Sequence, residues 1–280
     1  MIAVRVLARR LALGAVIPAL VLAVWHVASL HSVIVPSIAT VAEVLLHPLT
    51  APPGLDSTSL GAGACVSVLR VATGFGLACL TGVPVGVLVG RSRTAREMLS
   101  STIAAAMVIS PIAWIPIAIL VFGLSSPATL LAGDEAWRLG LLDQVRWAIV
   151  GVIWLGAFFP IVLNTAGGVL STRVSHIESA QMLGATTRQV LWSVVLPSAA
   201  PSIMVGLRVG GGIAWRAIIA AEIFPGTRGG LGYMIATAHM QGAYEYAFAS
   251  ILVIAAIGLV LDGLLRLAAA RVSRWQARQR

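Results

Sequence analysis

Apolar runs long enough to cross a bilayer, about 20 residues each, recur along this chain at residues 12–30, 66–90, 100–124, 147–170, 202–224 and 246–268. Between the fourth and fifth the pattern changes. Residues 175–197, SHIESAQMLGATTRQVLWSVVLP, are polar and partly amphipathic. Ser175 with Glu178 fits the capping box S-x-x-E, and Thr186 with Gln189 fits T-x-x-Q. Two short helices are predicted, 176–183 and 187–196, with Gly184 at the corner, where a left-handed residue is easiest. Ile177, Ala180 and Leu183 share one face of the first helix; Val190, Leu191 and Val194 share one face of the second. Pro197 and Pro201 are expected to stop the second helix before the fifth span begins.

The other connections carry weaker patterns. A short helix is expected after Pro36, followed by the turn-rich TAPPGLDSTS. In GDEAWRLGLLDQVR, Leu139, Leu142 and Val145 are placed to form one face of a surface helix. The spans contain Pro84, Pro111, Pro116 and Pro160, breaks tolerated at membrane depth where neighbouring helices or a watery cavity satisfy the freed backbone groups. No internal repeat is visible.

Composition turns these runs into a membrane protein. Of 280 residues 59% are hydrophobic and only 10% charged, against about 25% charged in soluble domains; the mean hydropathy is +0.96. An all-α polytopic protein of about six transmembrane helices in one domain, 1–280, is the simplest parse. The formal net charge is +9, and all 19 basic residues are arginine. They cluster beside the spans rather than on one nucleic-acid-binding face, so no nucleic-acid partner is expected. Arg5, Arg9 and Arg10 precede the first span, and Arg91, Arg93 and Arg96 follow the second. Arg173 and Arg188 follow the fourth, and Arg271, Arg274, Arg278 and Arg280 close the chain. The alternate side holds Arg138, Arg146 and Arg228. The positive-inside rule then places both termini and the 175–197 stretch in the cytoplasm. The N-terminal run reads as a retained first span, because no cleavage-site pattern follows it.

Missing chemistry narrows the function. Without lysine the chain has no G-x-x-x-x-G-K-[ST] phosphate loop, so any nucleotide chemistry belongs to a partner. Its five histidines are scattered, and neither H-E-x-x-H nor G-x-S-x-G occurs; an enzyme is not expected, nor a metal site. Cys65 and Cys79 fall on one helix about 21 Å apart, too far for a disulfide.

Candidate pathway residues lie in the fifth span. Arg208, Trp215, Arg216 and Glu222 share one helical face with Gly212 and Ile219, and charges within a span usually face a cavity or one another. Two readings stay open: a face lining an anion pathway, or ion pairs such as Arg216 with Glu222. The same two readings apply to Arg70 in the second span and Asp262 in the sixth, with structural pairing to a neighbour favoured. Gly206-x-x-x-Gly210, followed by Gly211 and Gly212, permits close helix approach, within this chain or between copies.

Glu178-Ser179-Ala180, three residues, Gly184, nine residues, then Val194-x-Leu196-Pro197 resembles the EAA loop (E-A-A-x3-G-x9-I-x-L-P) of bacterial ABC importer permeases, with Ser179 and Val194 as mild departures. SPIAWIPIAILVFGL, LGAFFPIVLNT, AAEIFPGTRGGLGYMI and LRVATGFGLACLTGVPVG are similar to the nitrate/sulfonate/bicarbonate (taurine-type) branch. The resemblance covers roughly residues 33–270; the stretch near 128–147 looks like an insertion. It implies the type I importer (MetI-like) fold, with residues 171–201 as the cytoplasmic coupling loop. It also implies that Glu178, Ser179, Ala180, Gly184, Leu196 and Pro197 couple to an ABC ATPase, two copies of which bind the ATP. The chain itself then needs no cofactor. Further implied partners are a second permease copy in a homodimer and an extracytoplasmic substrate-binding protein. The implied location is a bacterial inner membrane, and the implied cargo a small anion such as taurine or another sulfonate, nitrate or bicarbonate. The rival reading is a secondary carrier driven by an ion gradient.

Overall fold

A computed structural model describes residues 2–32, 34–52, 58–123, 125–132, 143–223 and 229–273; for 2–15, 130–132 and 273 it describes the backbone alone. The secondary structure among these residues is helical throughout. In chain order the helices are α1 (Ile2–His31), α2 (Ile38–Leu46), α3 (Leu60–Arg91), α4 (Arg93–Val108), α5 (Ile115–Phe122) and α6 (Pro127–Ala132). There follow α7 (Trp147–Leu170), α8 (Val174–Met182), α9 (Thr187–Val190), α10 (Leu196–Ile223), α11 (Leu231–Gln241) and α12 (Tyr244–Ser273). Five stretches are long and apolar enough to cross a membrane: Leu60–Arg91, Pro111–Thr129, Trp147–Leu170, Thr187–Ile223 and Tyr244–Val272. Val16–His31 is a shorter apolar helix at the position of the first expected span.

Two differences from the sequence pattern have proline as their cause. The run 100–124 is not one helix. It stops at Val108, passes through extended Ile109 and Ser110, makes a 3-10 turn over Pro111–Trp114 and restarts at Ile115. The residue before a proline disfavours helical geometry, so Pro111 sets the break. Pro197 and Pro201, by contrast, do not end a helix. The chain stays helical from Thr187 to Ile223 by widening into a π turn over Leu191–Val195, where the Leu196 N–H reaches back five residues to the Leu191 carbonyl. The wide turn makes room for the Pro197 ring, which would otherwise press on the carbonyl four residues earlier. Pro84 and Pro160 lie inside unbroken α3 and α7.

The core is a three-helix stack. On α3, Gly74, Gly82, Gly86 and Gly90 face Ile153, Ile161, Thr165 and Val169 of α7. Both sets advance in steps of four or eight, so the two helices run parallel, backbone against side chain. The other side of α7 receives α10 antiparallel, with Gly210 against Ala157 and Ile161, Gly206 against Asn164 and Pro160, and Gly168 against Ser202 and Ala199. The Gly206/Gly210 pair thus serves packing within this chain. Ile153, Ala157 and Ile161, at the centre, are wholly buried.

α12 lies against α10, antiparallel to it, where Trp215 Nε1 donates to the Ile254 carbonyl at 3.1 Å. The short α2 begins as expected after Pro36, with Ser37 as its N-cap. Cys65 and Cys79 both lie on α3 as free thiols. Leu139 and Leu142 of the expected surface helix, and Arg138 and Arg228, lie outside the described residues; Val145 is buried.

Candidate coupling hairpin and membrane groove

The hairpin of α8 and α9 closes one end of the bundle. α8 starts at Val174 with Arg173 as N-cap and no side-chain cap. The expected Ser175–Glu178 box is therefore not formed: the helix begins earlier, leaving Ser175 inside the first turn, where it cannot cap. The second box is present. Thr186 Oγ1 accepts from Gln189 N at 3.4 Å, and Gln189 Oε1 accepts from Thr186 N at 2.7 Å. Between them Gly184 adopts φ +81°. The Ala185 N–H bonds the Ala180 carbonyl and the Gly184 N–H the Gln181 carbonyl, the paired bonds of a Schellman stop.

This turn decides what the hairpin presents. Ile177 and Ala180 pack towards Val169, Val190, Val195 and Ala199. Leu183, expected on the same face, is instead 89% exposed beside Met182 at 88%, because the Schellman turn swings the helix C-cap away from the cluster. Glu178, Ser179, Gly184 and Pro197 are exposed, Ala180 and Leu196 half-buried.

The second feature is a groove of about 770 Å³ between α10 and α12, lined by residues including Arg208, Gly212, Trp215, Arg216, Ile219 and Asp262. Arg208 Nε donates to Asp262 Oδ1 at 2.7 Å, and Arg266 Nε to Asp262 Oδ2 at 2.8 Å. Arg216 is exposed and has no ion-pair partner among the described residues. Trp215, by contrast, is mostly buried, its indole wedged over Gly258.

Glu222 does not belong to the groove, and it does not pair with Arg216. Its side chain is wholly buried, accepting from Arg70 Nη1 at 2.8 Å and from Ser67 Oγ at 2.8 and 2.9 Å. The last turn of α10 is overlaid by the start of α11, so Glu222 points into protein while Arg216, less than two turns earlier, points into open space. Glu222 Oε2 also accepts from Gly232 N at 2.9 Å, and Ser67 Oγ accepts from Leu231 N at 3.0 Å. The Glu222 carboxylate and the Ser67 hydroxyl thus each take one of the first donors of α11, where the helix dipole favours negative charge. Arg70 further donates to the Gln144 and Gly229 carbonyls. Ser67 was not singled out from sequence; the available signal is its position one turn before Arg70 in an otherwise apolar helix. The pairings read for Arg70 and Asp262 are both present.

No cluster of three or more His, Cys, Asp or Glu suited to a metal occurs among the described residues. The groove offers two guanidinium groups, the Asp262 carboxylate and apolar walls.

Residues 82–274 match the family described as binding-protein-dependent transport system inner membrane component. The taurine transport system permease protein of Escherichia coli is 33% identical over 254 residues, 90% of this chain and 84% of that protein. The bicarbonate transport system permease protein of Synechococcus elongatus is 35% identical over 220 residues, 79% and 72% of the two chains. In fold, the chain is similar to a chain in an inward-facing structure of the MetNI methionine ABC transporter, with a TM-score of 0.57 at 19% identity. That match covers 77% of this chain and 94% of the other.

Proposed function

Because this chain belongs to the family of binding-protein-dependent transport system inner membrane components, we propose that its α10–α12 groove is half of an anion pathway and its α8–α9 hairpin the contact for a separate ABC ATPase. The chain is a transport permease and not an enzyme. The observation that carries the anion reading is Arg216: it is exposed in the groove with no ion-pair partner among the described residues, while the other lining charges, Arg208 and Asp262, are paired with each other. An unpaired guanidinium at membrane depth costs free energy that an incoming anion offsets. The taurine and bicarbonate named for the two relatives are small solutes bearing an anionic group, in keeping with such a site.

On the hairpin, Met182 and Leu183 are apolar side chains held in solvent by a defined turn, beside exposed Glu178 and Ser179. An exposed apolar pair of this kind fits a groove on a partner. Two ATPase subunits, each binding its own ATP, then act on two copies of this chain, whose grooves face one another. No nucleotide or other cofactor is needed here. In this reading residues 171–201 and both termini lie on the cytoplasmic side, where the ATPase is, and an extracytoplasmic binding protein delivers cargo to the other end.

The test is co-purification of the tagged chain with the ATPase and binding protein encoded beside its gene, followed by anion uptake into proteoliposomes. ATPase recovered with wild type and lost with Leu183→Asp, in protein that still elutes as one species, supports the reading. If no ATPase is recovered with either form, and uptake follows an imposed ion gradient, the chain is a secondary carrier instead.

A further inference from the structure

Among the described residues two ion pairs join membrane helices, and they are built in opposite ways. Arg70–Glu222 is sealed: both side chains are 0% exposed, and the Ser67 hydroxyl and the Gly232 N–H also donate to the carboxylate. Arg208–Asp262 is open, with side chains 42% and 38% exposed in the wall of the groove. Its carboxylate has a second guanidinium partner, on its own helix. Arg266 sits one turn away on the same helix and holds the other oxygen.

We propose that Asp262 is a releasable counter-ion, which yields Arg208 to an anion arriving from Arg216 and is itself kept neutral by Arg266. This rests on the anion reading of the groove. What matters is charge balance at one carboxylate in a poor solvent: a carboxylate stranded at membrane depth is costly, so a workable transfer leaves Asp262 with a guanidinium partner at every step. Before transfer Arg208 and Arg266 share Asp262, and the anion sits at Arg216, about 12 Å along α10 from Arg208 by helical rise. Afterwards the anion holds Arg208, and Asp262 holds Arg266. Had Asp262 only Arg208, the exchange would leave a bare carboxylate. Since Arg266 and Asp262 stand four apart on α12, they stay in reach however α10 moves.

The fold tolerates the exchange because a separate, uncharged link joins the same helices. Trp215 Nε1 bonds the Ile254 carbonyl, and the indole lies against Gly258. Loosening Arg208 therefore does not part α10 from α12.

The experiment is maximal uptake by the complex reconstituted with its ATPase and binding protein. Nitrate, bicarbonate, taurine and butanesulfonate are the probes, and each variant is first shown to elute as one species. Arg266→Gln is expected to lower uptake about tenfold, since Asp262 then holds Arg208 alone; adding Asp262→Asn should restore it to within about threefold of wild type. Arg208→Gln should also lower uptake, and Asp262→Asn should not restore that loss, because the receiving guanidinium is gone. Rescue of both losses would mean that the groove responds to net charge alone, and rescue of neither would make the pair a structural cross-link. Either result, or wild-type uptake by Arg266→Gln, overturns the proposal. A wild-type complex that hydrolyses ATP yet moves none of the four anions sinks the anion reading, and this inference with it.

Discussion

Arg70 Nη1 lies 2.8 Å from Glu222 Oε1, in a pair that joins α3 to the end of α10 with neither side chain reaching solvent. Around it converge Ser67, the N-terminal donors of α11 and the Gln144 carbonyl just before α7. Four parts of the chain are thus tied at one point, at the end of the bundle opposite the hairpin.

Breaking that pair from one side leaves a buried charge without compensation. Glu222→Ala is expected to destabilise the protein by about 3–5 kcal/mol, whereas the double change Arg70→Met with Glu222→Leu should recover most of the loss. Thermal unfolding in detergent, followed by circular dichroism, checks both. A double variant as unstable as Glu222→Ala would show that the bonds to α11, rather than the ion pair, set the stability.

The α3–α7 seam predicts a contrast between two glycines of one helix. A Cβ on Gly86 would lie 2.5 Å from Thr165 Cβ and 2.8 Å from the Val162 carbonyl, while one on Gly76 meets nothing within 4 Å. Gly86→Ala should cost about 1–3 kcal/mol by overpacking. Gly76→Ala should gain about 0.5–1 kcal/mol from helix propensity. Melting temperatures of the two variants in the same detergent make the comparison.

Only one of the two capping signals is in use, and substitution should expose the difference. Thr186→Ala removes a formed box and should destabilise the hairpin by about 1 kcal/mol. Ser175→Ala removes nothing and should stay within about 0.5 kcal/mol of wild type. Hydrogen exchange over residues 174–196 reads both effects locally.

Gly184 adopts φ +81° with open space around its Cα, so its requirement is conformational rather than steric. Gly184→Ala should cost about 1–2 kcal/mol of local stability, and Gly184→Asn less, because asparagine tolerates left-handed geometry. Protease sensitivity of the hairpin should rise in the order wild type, Asn, Ala. Equal sensitivity for Asn and Ala would count against the conformational account.

The sequence by itself determined what short-range physics controls: where apolar runs begin and end, that α7 spans Trp147–Leu170, that Thr186 caps a helix and that Gly184 turns the chain. The EAA spacing was legible for the same reason, since helices, caps and turns are written within a few residues. Tertiary structure decided which way each span faces, because in a chain this apolar the lipid side and the protein side of a helix are built from the same residue types. Glu222 shared a helical face with Arg216 in sequence, yet its partner is Arg70, 152 residues away. Leu183 matched the packed stripe of α8 until the Schellman turn carried it outward. Pro197 and Pro201 read as stops because the pattern assumes a regular helix, and a single π turn removes that assumption. Local rules located most of the elements; the charges in the membrane had to find partners, and only the packed bundle could say which.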